Sequence, residues 1–199
     1  MRNTWIRRIS AIRKDGVESA INLTCGLNCI IGASNTGKTR IAKTVEFACG
    51  GKELPFTDKT AYEIAQVTFV TNGGEVSLSR SIHVQNTIHV KSSNPMIVPG
   101  SYSVSSRAGK SINTVLLALL GVEATLRIAT NETYHTVAFT WNAIRHLMIV
   151  PEDQIGRARP SILFPKSTSL ATLTQSLSSL LVLVQDEKID NSIQTESAS

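Results

Sequence analysis

The sequence contains little cysteine. Only Cys25, Cys29 and Cys49 occur in 199 residues. An odd count at this low density argues against a disulfide framework and fits a reducing compartment. No second Cys or His pair stands at zinc-finger spacing from Cys25 and Cys29. We therefore interpret the thiols as structural rather than metal-binding, with Cys29 packed in a core strand.

Long apolar runs are also missing. The longest ones, residues 115–120 and 180–184, are far shorter than the roughly 18 consecutive apolar residues of a membrane-spanning helix. This excludes a transmembrane helix and predicts no membrane partner. The first eight residues lack the apolar core and the small-residue cleavage site of a secretory signal. We therefore expect a cytoplasmic protein.

The charge balance is only moderately basic. With 42% hydrophobic and 18% charged residues, the chain has the composition of a compact globular domain. The net charge of +5 fits a polyanionic partner and equally an ordinary basic surface. Four cations form a basic edge, namely Arg7, Arg8, Arg13 and Lys14. This edge either meets a nucleotide base or DNA phosphates, or is the solvated face of a hairpin.

Hydrophobic periodicity predicts mixed α/β structure. A hairpin is expected over residues 5–14 and 17–24, followed by a short strand at 27–31 that is buried on both faces. A helix over residues 40–49 should end at Gly50 and Gly51. Further on, the pattern has a period of two. It predicts a meander over residues 61–71, 75–82 and 88–90, with a turn at 72–74 and one wet face.

The carboxy-terminal half is predicted to be mainly helical. Residues 92–110 lack an apolar period and are expected to form a mobile loop. Helices are predicted at 111–120, 140–148 and 168–185. The chain should then end in a polar tail over residues 190–199, so that residues 1–189 make up the folded segment.

One motif carries specific chemistry. The chain matches G-x-x-x-x-G-K-[ST] between a predicted strand and a predicted helix. The motif and the residue after it are Gly32, Ala33, Ser34, Asn35, Thr36, Gly37, Lys38, Thr39 and Arg40. Glycines let main-chain N–H groups approach phosphate oxygens, which the positive end of the following helix also favours. We expect Lys38 to reach the β- and γ-phosphates of ATP and the hydroxyl of Thr39 to ligate Mg²⁺.

Hydrolysis needs further groups. An acidic residue at the end of a second apolar strand must hold Mg²⁺, and another group must orient the attacking water. Asp186 and Glu187 follow the apolar run 180–184, but the leucine spacing there fits a helix better than a strand. The polar cluster 151–154 follows the apolar residues 147–150. It is either a solvated turn or a ligand-facing loop at a strand end.

The order of these features resembles the amino-terminal half of the ATPase head of SMC-type DNA-repair and chromosome-maintenance proteins, which are ABC-class P-loop ATPases. The segments that carry the resemblance are residues 6–9, 26–32, 45–51, 144–146, 152–155 and 161–164. It implies an α/β fold of the P-loop NTPase class with a mixed sheet and an antiparallel β-meander. In that family a loop glutamine lies near Mg²⁺. Matching it places either Glu152 or Gln154 there in a catalytic sensor role, with Gln154 as the candidate metal ligand.

The chain also departs from that family. It lacks the serine-glycine-rich signature and the Mg²⁺-binding acidic strand that those ATPases carry in a carboxy-terminal half. The resemblance therefore implies half a head domain, completed by a second head segment or a homodimer. DNA and an associated nuclease or effector are the further partners it implies. We expect weak nucleotide binding by the chain alone, and ATP hydrolysis only after completion and dimerisation.

Two other functions remain open on the sequence. A complete small phosphotransferase would use the same loop, with residues 92–110 as a lid. A non-catalytic module would instead hold a partner protein and keep only a vestigial nucleotide site.

Overall fold

The computed structural model describes residues 4–57, 60–105, 108–123, 125–129 and 136–150. The chain divides into two compact units after Glu123. The site predicted at residues 32–40 lies in the first unit.

The first unit is built on a six-stranded sheet. Its strands are β1 (Trp5–Arg13), β2 (Glu18–Asn22), β3 (Tyr62–Thr71), β4 (Gly74–Ser81), β5 (Thr87–Ser92) and β6 (Gly100–Ser103). They lie in the order β2-β1-β3-β4-β5-β6, and each neighbouring pair is antiparallel. The predicted hairpin and meander are therefore confirmed.

Side-chain alternation gives the sheet one buried and one polar face. Val67, Leu78 and Val90 lie side by side on three neighbouring strands and are buried. On β4, Ser77 and Ser79 flank Leu78 and point to the other face of the sheet, as the period of two predicts. On that face the hydroxyls of Thr68 and Ser77 share a hydrogen bond of 2.7 Å.

Helix α1 (Lys38–Ala48) covers the buried face. Its residue Ala48 packs with Ile9 and Val67, and Phe47 packs with Ala65 in a neighbouring cluster. Burial of these apolar side chains stabilises the helix on the sheet.

The carboxy end of α1 forms a regular glycine cap. Gly50 has a φ of +96°, which a residue without Cβ adopts at little cost. The Gly50 N–H donates to the carbonyl oxygen of Phe47, and the Gly51 N–H donates to that of Glu46. These two bonds are the pattern of a Schellman motif. The predicted end of the helix at Gly50 and Gly51 is confirmed.

Helix α2 (Ile112–Leu119) follows β6 in the same unit. The hydroxyl of Ser111 accepts a hydrogen bond from the N–H of Asn113, so Ser111 is the N-cap residue. The predicted helix at 111–120 is confirmed. The prediction of a mobile loop over residues 92–110 is wrong for β6. There Tyr102 is buried, and its hydroxyl donates to the carbonyl oxygen of Val98.

The second unit contains a short hairpin and one helix. Strands β7 (Arg127–Ala129) and β8 (Thr136–Ala138) are antiparallel, and helix α3 spans Trp141–Met148. The predicted helix at 140–148 is confirmed, and it includes the first residues of the apolar run 147–150. The predictions for residues 168–185 and 190–199 lie outside the described residues.

One predicted strand is wrong. Residues 27–31 form no strand, and the side chains of Leu27 and Ile31 are both 93% exposed. A strand needs hydrogen-bonding neighbours, and within the described ranges no backbone hydrogen bond joins residues 25–31 to the sheet. The last backbone contact before this segment runs from the N–H of Leu23 to the carbonyl oxygen of Arg7.

The α/β class and the antiparallel meander are confirmed. The expected mixed sheet is not found, because every pair of strands in the described ranges is antiparallel. No helix among the described residues combines the length and apolar character needed to span a bilayer.

Candidate functional site

The motif at residues 32–39 forms an exposed loop that leads into α1. Residues 31–36 are exposed, and Lys38 and Thr39 are the first two residues of the helix. The sequence therefore places the motif correctly before a helix. The strand expected in front of the loop is replaced by the exposed segment at residues 27–31, which has no regular secondary structure.

The side chain of Lys38 folds back across the loop. Its Nζ donates hydrogen bonds to the carbonyl oxygens of Gly32 and Ala33, at 2.7 Å and 2.5 Å. Its third neighbour, the hydroxyl of Thr36, lies at the limiting distance of 3.5 Å. An ammonium group has three N–H donors. Two hold the side chain in place, and the third has only a weak partner that an anionic oxygen would replace.

The two ends of the loop approach each other closely. The hydroxyl of Thr36 donates a 2.8 Å hydrogen bond to the carbonyl oxygen of Ala33. A Cβ on Gly32 would lie only 3.1 Å from the same hydroxyl oxygen. Gly32 therefore permits the close approach that closes the loop.

The N-terminus of α1 is free to receive an anion. Its N-cap residue, Gly37, has a φ of +93° and carries no side chain that caps the helix. The first turn contains no acidic residue and begins with Lys38, Thr39 and Arg40. The first N–H groups of a helix carry partial positive charge, so this end attracts phosphate oxygens. The N–H groups of the first turn, the helix dipole and the charge of Lys38 thus all favour an anionic ligand.

A side chain not singled out by the motif supports the approach to the loop. Oδ1 of Asn28 accepts hydrogen bonds from the N–H and the hydroxyl of Thr24, at 3.0 Å and 3.3 Å. Its Nδ2 donates to the carbonyl oxygens of Thr24 and Gly26, at 2.8 Å and 3.0 Å. Asn28 therefore holds the turn that precedes the loop. The signal in the sequence was an asparagine two residues after a glycine, a combination typical of turns.

The basic edge is largely compensated by carboxylates. Arg7 pairs with Glu75, and Arg8 donates two hydrogen bonds to Glu18. Arg13 lies 3.3 Å from a carboxylate oxygen of Asp15. These pairs favour the interpretation of the edge as a solvated sheet surface.

Other predicted site residues are not described. Glu152 and Gln154, the alternatives for the sensor near Mg²⁺, and the acidic pair Asp186 and Glu187 all lie outside the described residues. Within the part of the chain that the structure covers, no group of three or more His, Cys, Asp or Glu side chains is arranged to hold a metal ion. Thr39, the predicted Mg²⁺ ligand, is exposed in the first turn of α1.

The cysteines differ strongly in environment. Cys25 and Cys29 are exposed, so the prediction that Cys29 packs in a core strand is wrong, for the same reason that the strand itself is absent. Cys49 is the buried C-cap residue of α1, and burial together with the nearby charge of Glu46 raises its pKa to about 12. Cys49 is thus a structural thiol, as predicted.

No family model matches the chain, and no curated protein matches its sequence.

Proposed function

We propose that residues 32–40 bind the phosphate tail of ATP with Mg²⁺. In this proposal the chain is the ATP-binding segment of an SMC-like, ABC-class P-loop ATPase. Its composite site is completed by a second head segment or by a homodimer, and it works with DNA-directed repair, maintenance or defence machinery. Lys38 binds the β- and γ-phosphates, and Thr39 ligates Mg²⁺.

The observation that carries the proposal is the position of Lys38. Its ammonium is held by the carbonyl oxygens of Gly32 and Ala33 beside the uncapped end of α1. A cation fixed at a helix N-terminus in an exposed loop suits a polyanion, because the lysine charge, the helix dipole and free N–H groups act on the same oxygens. An ordinary surface lysine carries the charge but lacks the helix dipole and the N–H groups beside it.

Calorimetric titration of the 199-residue chain with MgATP tests this proposal. Lys38→Ala should weaken binding by at least about tenfold, because a hydrogen bond to a charged group contributes roughly 1.5–3 kcal/mol. Lys43→Ala is the matched control, since Lys43 is a lysine of the same helix whose partner is the surface carboxylate Glu53. Equal affinities of wild type and Lys38→Ala, or no binding by wild type, would overturn the proposal.

We assign hydrolysis only to the completed site. The described residues supply a phosphate loop and Thr39, and the water-orienting role falls to Glu152 or Gln154 and to a partner segment. The purified chain should therefore release almost no phosphate from ATP. Sustained Mg²⁺-dependent turnover by the isolated monomer would instead favour the self-contained phosphotransferase.

A further inference from the structure

The most buried cation among the described residues lies away from the phosphate loop. Arg80 is on β4, on the sheet face that α1 covers, and only 3% of its surface is exposed. Val76 and Leu78 precede it on the same face, so a period of two places an arginine where the pattern calls for an apolar residue. Burying a charged group is costly unless hydrogen bonds satisfy its donors. The hydrogen-bond partners of Arg80 therefore indicate its structural role.

The hydrogen bonds described for Arg80 all go to main-chain carbonyl oxygens. One terminal nitrogen, Nη1, donates to those of Phe47 and Gly51, at 2.6 Å each. Nε and Nη2 donate to the carbonyl oxygen of Gln85, at 2.8 Å and 2.6 Å. The guanidinium carbon also lies 4.1 Å from the centre of the Phe47 ring. Burial lowers the pKa of Arg80 to about 10, so the side chain stays charged at neutral pH.

These contacts join three segments at one point. Phe47 is in the last turn of α1, Gly51 is the second glycine of its cap, and Gln85 is in the turn between β4 and β5. The last carbonyls of a helix have no partner within the helix and carry partial negative charge. The carbonyl oxygen of Phe47 already accepts the N–H of Gly50, and the buried guanidinium adds a charged donor to it and opposes the negative end of the dipole. It thereby ties the carboxy end of α1 to the sheet.

The same helix begins with Lys38 and Thr39. An 11-residue helix is about 16 Å long, so a tilt of roughly 5° about its carboxy end moves its first residue by about 1.4 Å. Displacements of that size are large compared with the tolerance of a hydrogen bond. The anchoring of the carboxy end therefore acts, together with the packing of Ile41 and Val45, on the position of the first turn.

We propose that Arg80 is a positioning residue for the phosphate loop: by holding the carboxy end of α1 it sets the affinity of Lys38 and the first turn for a triphosphate. This inference rests on the proposed function of the loop. Arg80 acts through the helix and touches no ligand.

The test compares variants of the full chain by calorimetric titration with MgATP, at a temperature well below the melting transition of each. Arg80→Met keeps an apolar stem and removes every donor, and Arg80→Lys keeps the charge and part of the hydrogen bonding. Val76→Ala is the control, because Val76 is fully buried on β4 but lies four residues, about 13 Å, before Arg80, so its truncation destabilises the core at a distance from the Arg80 contacts. Unfolding in urea gives the stability of each variant.

We expect Arg80→Met to bind MgATP at least about tenfold more weakly than wild type, Arg80→Lys to fall between them, and Val76→Ala to bind like wild type. Wild-type affinity in Arg80→Met, or an equal loss in Val76→Ala, would overturn the inference. If Arg80→Met does not fold, Arg80→Lys decides, and wild-type affinity in it overturns the inference. Failure of the proposed function is recognised separately, since wild type and Lys38→Ala would then bind ATP equally or not at all.

Discussion

The ammonium of Lys38 donates a 2.7 Å hydrogen bond to the carbonyl oxygen of Gly32, six residues earlier in the chain. This contact closes the loop and holds the lysine side chain in one position. A long flexible side chain loses up to about 2 kcal/mol of rotamer entropy when it is immobilised. Because part of that cost falls on folding, less of it opposes the binding of an anion.

The glycine cap of α1 leads to a stability prediction. A Cβ on Gly51 would lie 2.7 Å from the carbonyl oxygen of Glu46, which is backbone and cannot rotate away. Gly51→Ala should therefore lower the free energy of unfolding by about 1–3 kcal/mol, measured by urea denaturation. Gly109→Ala is the control, since a Cβ there meets nothing within 4 Å. Equal stabilities of the two variants would contradict the described cap.

The ion pair between Arg8 and Glu18 predicts a dependence of stability on pH. Hydrogen bonding to Arg8 lowers the pKa of Glu18 below its ordinary value of 4.5. A lowered pKa in the folded state means that the pair stabilises the protein above pH 4.5, and that this contribution is lost as the pH falls through the folded-state pKa. Both side chains are about one-third exposed, so water and salt screen the pair and its contribution to stability should be small.

Glu18→Gln isolates that contribution. The free energy of unfolding of this variant should fall below that of wild type at pH 7, and the two values should converge near pH 3. Urea denaturation at both pH values measures the difference. If the difference in free energy of unfolding between wild type and Glu18→Gln stayed constant or widened at low pH, the carboxylate of Glu18 would not be stabilised by Arg8.

The cysteines should react in two classes. Thiolates are the reactive form of cysteine, so an exposed thiol reacts with an aromatic disulfide reagent at pH 8 and a buried thiol with a raised pKa does not. Cys25 and Cys29 should react within minutes in the native protein, and Cys49, whose pKa is about 12, only after unfolding. The absorbance of the aromatic thiolate released from the reagent counts the protein thiols that have reacted. Cys49→Ala is the control. Rapid reaction of all three thiols would contradict the buried position of Cys49.

Local signals predicted much of the fold. The turn at residues 72–74 and the alternation of Val76 and Leu78 determine a hairpin whose strands are neighbours in sequence. The cap at Gly50 and the N-cap at Ser111 likewise involve residues only a few positions apart. Such features are visible in a single sequence because both partners lie within one short window.

Long-range pairing explains the errors. Residues 27–31 have the composition of a buried strand, but the composition does not specify which neighbours supply hydrogen bonds. The contacts of Arg80 cannot be predicted from the sequence for a related reason. Its partners Phe47 and Gly51 are 33 and 29 residues away, so its role appears only once α1 lies on the sheet. At the site, the motif predicted the loop and Lys38, and the support from Asn28 required the folded turn.

A crystal structure of the chain with Mg²⁺ and a nonhydrolysable ATP analogue tests the central claim most directly. We expect the β-phosphate to lie within hydrogen-bonding distance of Lys38 Nζ and of main-chain N–H groups of residues 35–39, with Mg²⁺ on the hydroxyl of Thr39. A nucleotide bound elsewhere on the chain, or a loop that stays free of phosphate at saturating analogue, would contradict the account.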